Sequence, residues 1–256
     1  MPGHAAPSRA VFAWALLVAG VLSARPTHAG DLQVAPISLE IAAQEQAQTL
    51  TLSNSGDRLL RAQVRVMAWS QDGGSDELQP TRLLLASPPI VEIAPHAQQL
   101  IRIIRPDGTP PAHELAYRLI VDELPDPALA DTSGLKLLLR YSIPVFVLPP
   151  GVVPALSRTG TIPPTDLSAI SARLQGGELA ISNAGTTRLK ISALAWVNPD
   201  GSRVVLNPGL QGYVLAGEDM HWPLTLPTAA KPGGSLRAHF NGDADEQALA
   251  LDRTGH

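Results

Sequence analysis

From Leu32 onward, apolar and polar residues alternate with a period of two in one short segment after another, as expected for strands with one buried face. Leu32–Ile41 reads as a strand broken near Pro36, and Gln48–Asp57 alternates and then ends in a turn of Asn, Ser, Gly and Asp. In Leu59–Trp69 the row Ala62, Val64, Val66 and Ala68 is set against Arg61, Gln63, Arg65 and Met67. QDGGSD then reads as a hairpin connection. Further strands are predicted around Pro88–Pro89, over Gln98–Pro106, and from Ala116 to a stop by Pro125. The longest apolar run, LKLLLRYSIPVFVLP (Leu135–Pro149), sets Leu135, Leu137, Leu139 and Tyr141 on one face against Lys136, Leu138, Arg140 and Ser142 on the other. The pattern predicts about seven strands before residue 150, at the spacing of a β-sandwich, and no helix.

The second half repeats the theme. GELAISNAGTTRLKISALAW (Gly177–Trp196) resembles QTLTLSNSGDRLLRAQVRVMAW (Gln48–Trp69): a strand, a Ser-Asn-x-Gly turn, and a strand ending in Ala-Trp. The expected fold is therefore all-β, with two related sandwiches. The expected organisation is a leader over 1–29, a first domain over 30–151, a linker over 152–164, a second domain over 165–242 and a polar, frayed tail over 243–256. Trp69 and Trp196 are expected to cap or fill the two cores.

The leader adds a location. Arg9 precedes a 12-residue apolar stretch, Val11–Leu22, that is too short to span a bilayer. Small residues at Thr27 and Ala29 then place cleavage after Ala29, with an uncleaved anchor as the alternative. Removal of Arg9 and Arg25 leaves 17 basic against 23 acidic residues, a net charge of −6, which disfavours nucleic acid as a partner. The cysteine count is zero, which excludes disulfides and thiolate chemistry.

The usual catalytic patterns do not appear. His96, His113, His221 and His239 lack metal-ligand spacing, and no GxSxG, phosphate-binding or dinucleotide-binding motif occurs. Adjacent strand residues Asp122 and Glu123 point to opposite faces, so they make a poor acid pair and are expected to serve solvation or a local salt bridge. No catalytic, cofactor or metal residue is assigned. An exported chain with such composition reads more readily as a binder than as an enzyme. The Leu135–Pro149 run then has two readings: a strand facing its own core, or a strand offered to a partner.

PISLEI followed by QTLTLSNSGD, PPIVEIAPHAQQLIRI, AYRLIVDELP and LKLLLRYSIPVFVLP together resemble the PapD-like periplasmic chaperones of the chaperone–usher pathway. The resemblance spans about Leu32–Phe240 and implies two immunoglobulin-like domains in an L shape. It also implies pilin-like subunits and an outer-membrane usher as partners, a periplasmic location, and no stable membrane insertion. By this alignment Leu135, Leu137, Leu139 and Tyr141 match the strand donated to a subunit.

The departures from the family pattern are specific. Ser38 and Pro144 stand where an Arg and a Lys usually hold the subunit's carboxylate end. Arg140 is a candidate replacement cation, and Ser38 and Ser142 are candidate neutral donors. Leu148 replaces an interdomain Arg, leaving the matching acid, Glu114, without its usual partner. Ala94-Pro95-His96 stands where the family often has Pro-Gly. These losses resemble the archaic or alternative branch that serves Csu-type or spore-coat-U-like subunits. The competing readings are a structural or adhesive fibre protein and, further off, a carbohydrate-binding module or enzyme.

Overall fold

The alternating segments become strands of four sheets in a computed structural model that describes residues 31–125, 137–155 and 163–252. One sheet has the order β1 (Leu32–Ala35), β3 (Ala47–Asn54), β8 (Gln98–Ile104) and β6 (Leu85–Ser87). It faces a second sheet of β2 (Leu39–Ile41), β10 (Arg140–Val147), β9 (Leu115–Leu124), β4 (Leu60–Asp72) and β5 (Ser75–Pro80), with β7 (Ile90–Ile93) also paired to β4. Leu50, Leu52, Ile101 and Ile103 from the first sheet meet Val64, Leu119, Val121 and Val145 from the second, all essentially inaccessible to water. The expected break at Pro36 is real: β1 and β2 belong to opposite sheets.

After the linker, β11 (Ile170–Gln175), β12 (Glu178–Asn183) and β15 (Asp219–Pro223) form the third sheet. The fourth has the order β14 (Arg203–Val214), β13 (Leu189–Val197), β16 (Ser235–Phe240) and β17 (Gln247–Leu249). Leu179, Ile181, Ile191, Leu236 and Phe240 build the second core between them. The expected tail from 243 is corrected here: β17 pairs with β16, Leu249 is buried in the second core, and the Asp252 amide donates to the Ala172 carbonyl. The short apolar pattern around Leu249 was hidden among small and polar residues.

The repeated Ser-Asn-x-Gly unit has one physical basis in both domains. Asn54 is buried, and its side-chain amide donates to the carbonyls of Arg58, Ile93 and Ala94, while its oxygen accepts from the Gly56 amide. Asn183 is equally buried; it donates to Thr187 and Val214 and accepts from Gly185. Each asparagine closes its own turn and ties it to a distant strand. His96, at the family's Pro-Gly position, has φ of 55°, the left-handed conformation that glycine adopts without strain.

Truncating either asparagine leaves buried carbonyls without donors, at about 2–3 kcal/mol. Asn54→Ala should therefore destabilise the first domain and Asn183→Ala the second, with separate unfolding transitions followed by tryptophan fluorescence and circular dichroism in urea.

Candidate functional site

The site begins with the pairing of β10. On one side β10 pairs antiparallel with β9 along its whole length, from Arg140↔Asp122 to Val147↔Leu115. On the other side it pairs with β2 only at Val145–Val147. Among the described residues, no strand pairs with the outer edge of Arg140–Pro144. The Glu123 amide donates to the Leu139 carbonyl, which makes Leu139 and Glu123 a hydrogen-bonded pair. By alternation, Tyr141 and Ile143 bond inward to β9, whereas Arg140 and Ser142 direct their N–H and C=O groups to the bare edge. Pro144 falls in the outward set, where a missing N–H is tolerated.

The inner face of the same strand is a single row. Val147, Val145 and Ile143 are buried in the first core; Tyr141 and Leu139 are half-buried against it; Leu137 is 76% exposed. The Tyr141 hydroxyl donates to the Leu32 carbonyl at 2.6 Å, closing the open end of the core. The row thus faces its own core from Tyr141 to Val147 and leaves it at Leu137. Leu135 lies outside the described residues, and the regular strand begins at Arg140.

On the outer face, Arg140 is paired. Asp122 accepts from both Arg140 and Arg65, so one carboxylate is shared by two guanidiniums and the cluster keeps a net positive charge. Burial raises the Asp122 pKa, but those two arginines outweigh it and hold the carboxyl below its usual range. The expected local salt bridge is present, and the candidate cation takes part in it.

A second correction concerns Glu114. It is buried and has a partner, Arg188 of the second domain, which also pairs with Glu40. Burial pushes the Glu114 carboxyl above its usual range despite the charge and hydrogen bonds of Arg188. The cation of this interdomain network has moved from the first domain to the second. Arg188 also lies 3.6 Å above the Phe146 ring. Leu148, at the position of the lost arginine, joins Trp69, Phe146, Tyr213 and Leu215 in an apolar cluster between the domains. Trp69 is therefore an interface residue and not a core residue, with its ring edge-on to Tyr213 at 5.4 Å. Gln71, buried beside it, donates to the Tyr213 carbonyl and accepts from the Leu215 amide. Gln71, Arg188 and Tyr213 carry no local sequence signal for these roles.

Beside the cluster, a cleft of about 640 Å³ between the domains is lined in part by Ile37, Ser38, Glu40, Gln48, Arg188 and Lys190. Ser38 sits next to Pro144 across the β2–β10 pairing, because Val145 is in register with Leu39. The expected anchoring residues Ser38, Ser142 and Pro144 thus lie together near the bare edge, with Arg140 diverted to Asp122.

An unpaired strand edge and an apolar row that leaves its own core are the two features that strand addition uses. Residues 31–153 match the family described as "Pili and flagellar-assembly chaperone, PapD N-terminal domain". The first domain is therefore a PapD-like chaperone domain. Its fold is similar to that of a CsuC–CsuE chaperone–tip adhesion subunit pre-assembly complex from the archaic Csu pili of Acinetobacter baumannii: 25% identity over 86% of this chain and 97% of that one, TM-score 0.63. It is also similar to a Salmonella enterica SafA pilin–SafB chaperone complex, at 19% identity over 88% of this chain and 98% of that one, TM-score 0.59. The E. coli chaperone DraB matches at 19% identity over 86% and 98%, TM-score 0.58. No curated protein matches the chain.

Removing the Arg188 side chain leaves Glu114 buried without a countercharge, at about 3 kcal/mol. Arg188→Ala should lower the urea midpoint and widen the interdomain angle distribution in small-angle scattering, while Leu137→Asp should change neither.

Proposed function

We propose that the protein is a periplasmic chaperone that holds pilin-like subunits by donating the outer edge of β10 and passes them to an outer-membrane usher. One observation carries this reading: the same strand has a bare hydrogen-bonding edge over Arg140–Pro144 and an apolar row that runs from its own core out to Leu137. A subunit lacking one strand would meet both needs at once. Its backbone would bond Arg140 and Ser142, and its groove would cover Leu137 and Leu139 for roughly 1.5–3 kcal/mol each. The cycle is one of binding and exchange: a strand that fits better displaces β10, and no covalent step is required.

The finer assignments belong to the same proposal. The two domains are immunoglobulin-like sandwiches. The leader is removed after Ala29, leaving the mature chain in the periplasm. The losses at Ser38 and Pro144, together with the similarity to a chaperone captured with an archaic tip subunit, support assignment to the archaic or alternative branch.

Leu137 and Leu139 separate function from stability. Leu137→Asp should abolish co-purification of a co-expressed subunit with no change in the thermal midpoint of the free protein. Leu139→Asp should abolish it as well, but with a measurable loss of stability, since its side chain packs partly on the first core. Undiminished subunit capture by Leu137→Asp would count against the donor strand.

A further inference from the structure

The free end of the donated run holds three consecutive leucines, Leu137, Leu138 and Leu139. Alternation therefore does not decide which of them face inward. A bulge beside Arg140 that slips the run by one residue turns each leucine to the opposite face. Such a slip exchanges one leucine for another, at nearly no hydrophobic cost. The regular strand begins only at Arg140, so its ladder does not settle the choice either. The faces are nonetheless distinct. Leu139 packs partly on the first core, whereas Leu138 is 49% exposed and lines an outer recess with Gln63, Leu124 and Arg140.

One residue of β9 holds Leu139 in place. The Leu139 carbonyl accepts from the Glu123 amide at 2.9 Å. In a regular antiparallel pair the Leu139 amide would return a bond to the Glu123 carbonyl. Here it donates to the Glu123 carboxylate instead, at 3.2 Å. A carboxylate is a stronger acceptor than a carbonyl. Glu123 is in register with Ala62, which is buried on the inner face, so its side chain projects to the mouth of the first core, on the side of Leu139. Among the described residues, the Leu139 amide is the one hydrogen-bond partner of that carboxylate. Tyr141 secures the strand two residues further in, through the Leu32 carbonyl. Beyond Leu139, neither Leu138 nor Leu137 makes a hydrogen bond among the described residues. Glu123 is thus the last grip on the run.

We propose that Glu123 is a positioning residue for strand donation: its grip on Leu139 fixes the register of the leucine run, so that Leu137 and Leu139, and not Leu138, form the row offered to a subunit. The inference rests on the strand-addition reading. With Leu139 bonded inward, Leu138 joins Arg140 and Ser142 in the set whose backbone groups face the bare edge. The usable edge then extends two residues past the regular strand.

The chain has no cysteine, which permits single-thiol reporters. Leu138→Cys and Leu139→Cys are each made in the mature protein, alone and with Glu123→Ala or Glu123→Gln, and their rates of reaction with a maleimide are compared. Leu138→Cys should react about tenfold faster than Leu139→Cys, since thiol reactivity follows exposure. Glu123→Ala should bring the two rates within about twofold, as mixed registers require. Glu123→Gln should keep most of the difference, because an amide oxygen still accepts from Leu139. An unchanged ratio in Glu123→Ala would overturn the grip, whatever that variant does to stability. A second readout ties the grip to function: amide NMR shifts on addition of an N-acetylated, amidated peptide of alternating valine and threonine. In the wild-type protein the peptide should shift Leu138, Arg140 and Ser142; in Glu123→Ala it should still shift Arg140 and Ser142 but not Leu138. Equal shifts at Leu138 in both proteins would overturn the proposal and leave strand addition intact. Absence of shifts at Arg140 and Ser142 in the wild-type protein would overturn strand addition, and with it the purpose assigned to Glu123.

Discussion

The proposed site depends on the unequal pairing of one strand. β10 is secured at one end by β2, by the first core through Val145 and Val147, and by the interdomain cluster through Phe146. At the other end it has only β9 beside it. An exposed strand edge is normally an aggregation hazard. Here the rigid end holds the free end in an extended, hydrogen-bonding geometry, so a partner that completes the edge does not have to bear the entropy of ordering it. The free protein limits the hazard with local devices. Arg140 and Arg65 place charge around Asp122, Tyr141 covers the mouth of the core, and Pro144 removes one outward donor.

The interdomain junction supplies the rigidity at the secured end. Aromatic rings from both domains meet there, Gln71 joins β4 to the backbone of Tyr213 and Leu215, and Arg188 reaches from the second domain to Glu40 and Glu114. The family's cation before the hinge is lost at Leu148, but its charge is replaced from the opposite side of the interface. The chemistry stays and the strand that carries it changes.

How much of this was legible in the sequence follows from the range of the interactions. Alternation set out β4, β8 and β10, because each strand's burial is written in its own period of two. The Asn turn was legible twice, because Asn54 and Asn183 satisfy donors a few residues away. The tail was misjudged because β17 has only three residues, and one leucine decides its burial. The pairs that build the site were out of reach. Arg188 meets Glu114 across 74 positions and Gln71 meets Tyr213 across 142, with no local pattern to mark either. The pairing of Arg140 with Asp122 was out of reach for the same reason: it depends on the register of β10 against β9.

In the proposed binding mode Arg140 and Ser142 offer their backbone groups to a partner while Tyr141 and Ile143 are already satisfied by β9. Residue-resolved hydrogen exchange of the free protein and of its complex with a co-expressed subunit tests this most directly. The free protein should show fast exchange at Arg140 and Ser142 and slow exchange at Tyr141 and Ile143, with Arg140 and Ser142 becoming protected in the complex. Protection of Arg140 and Ser142 in the free monomer, or no change in them on subunit binding, would contradict the account.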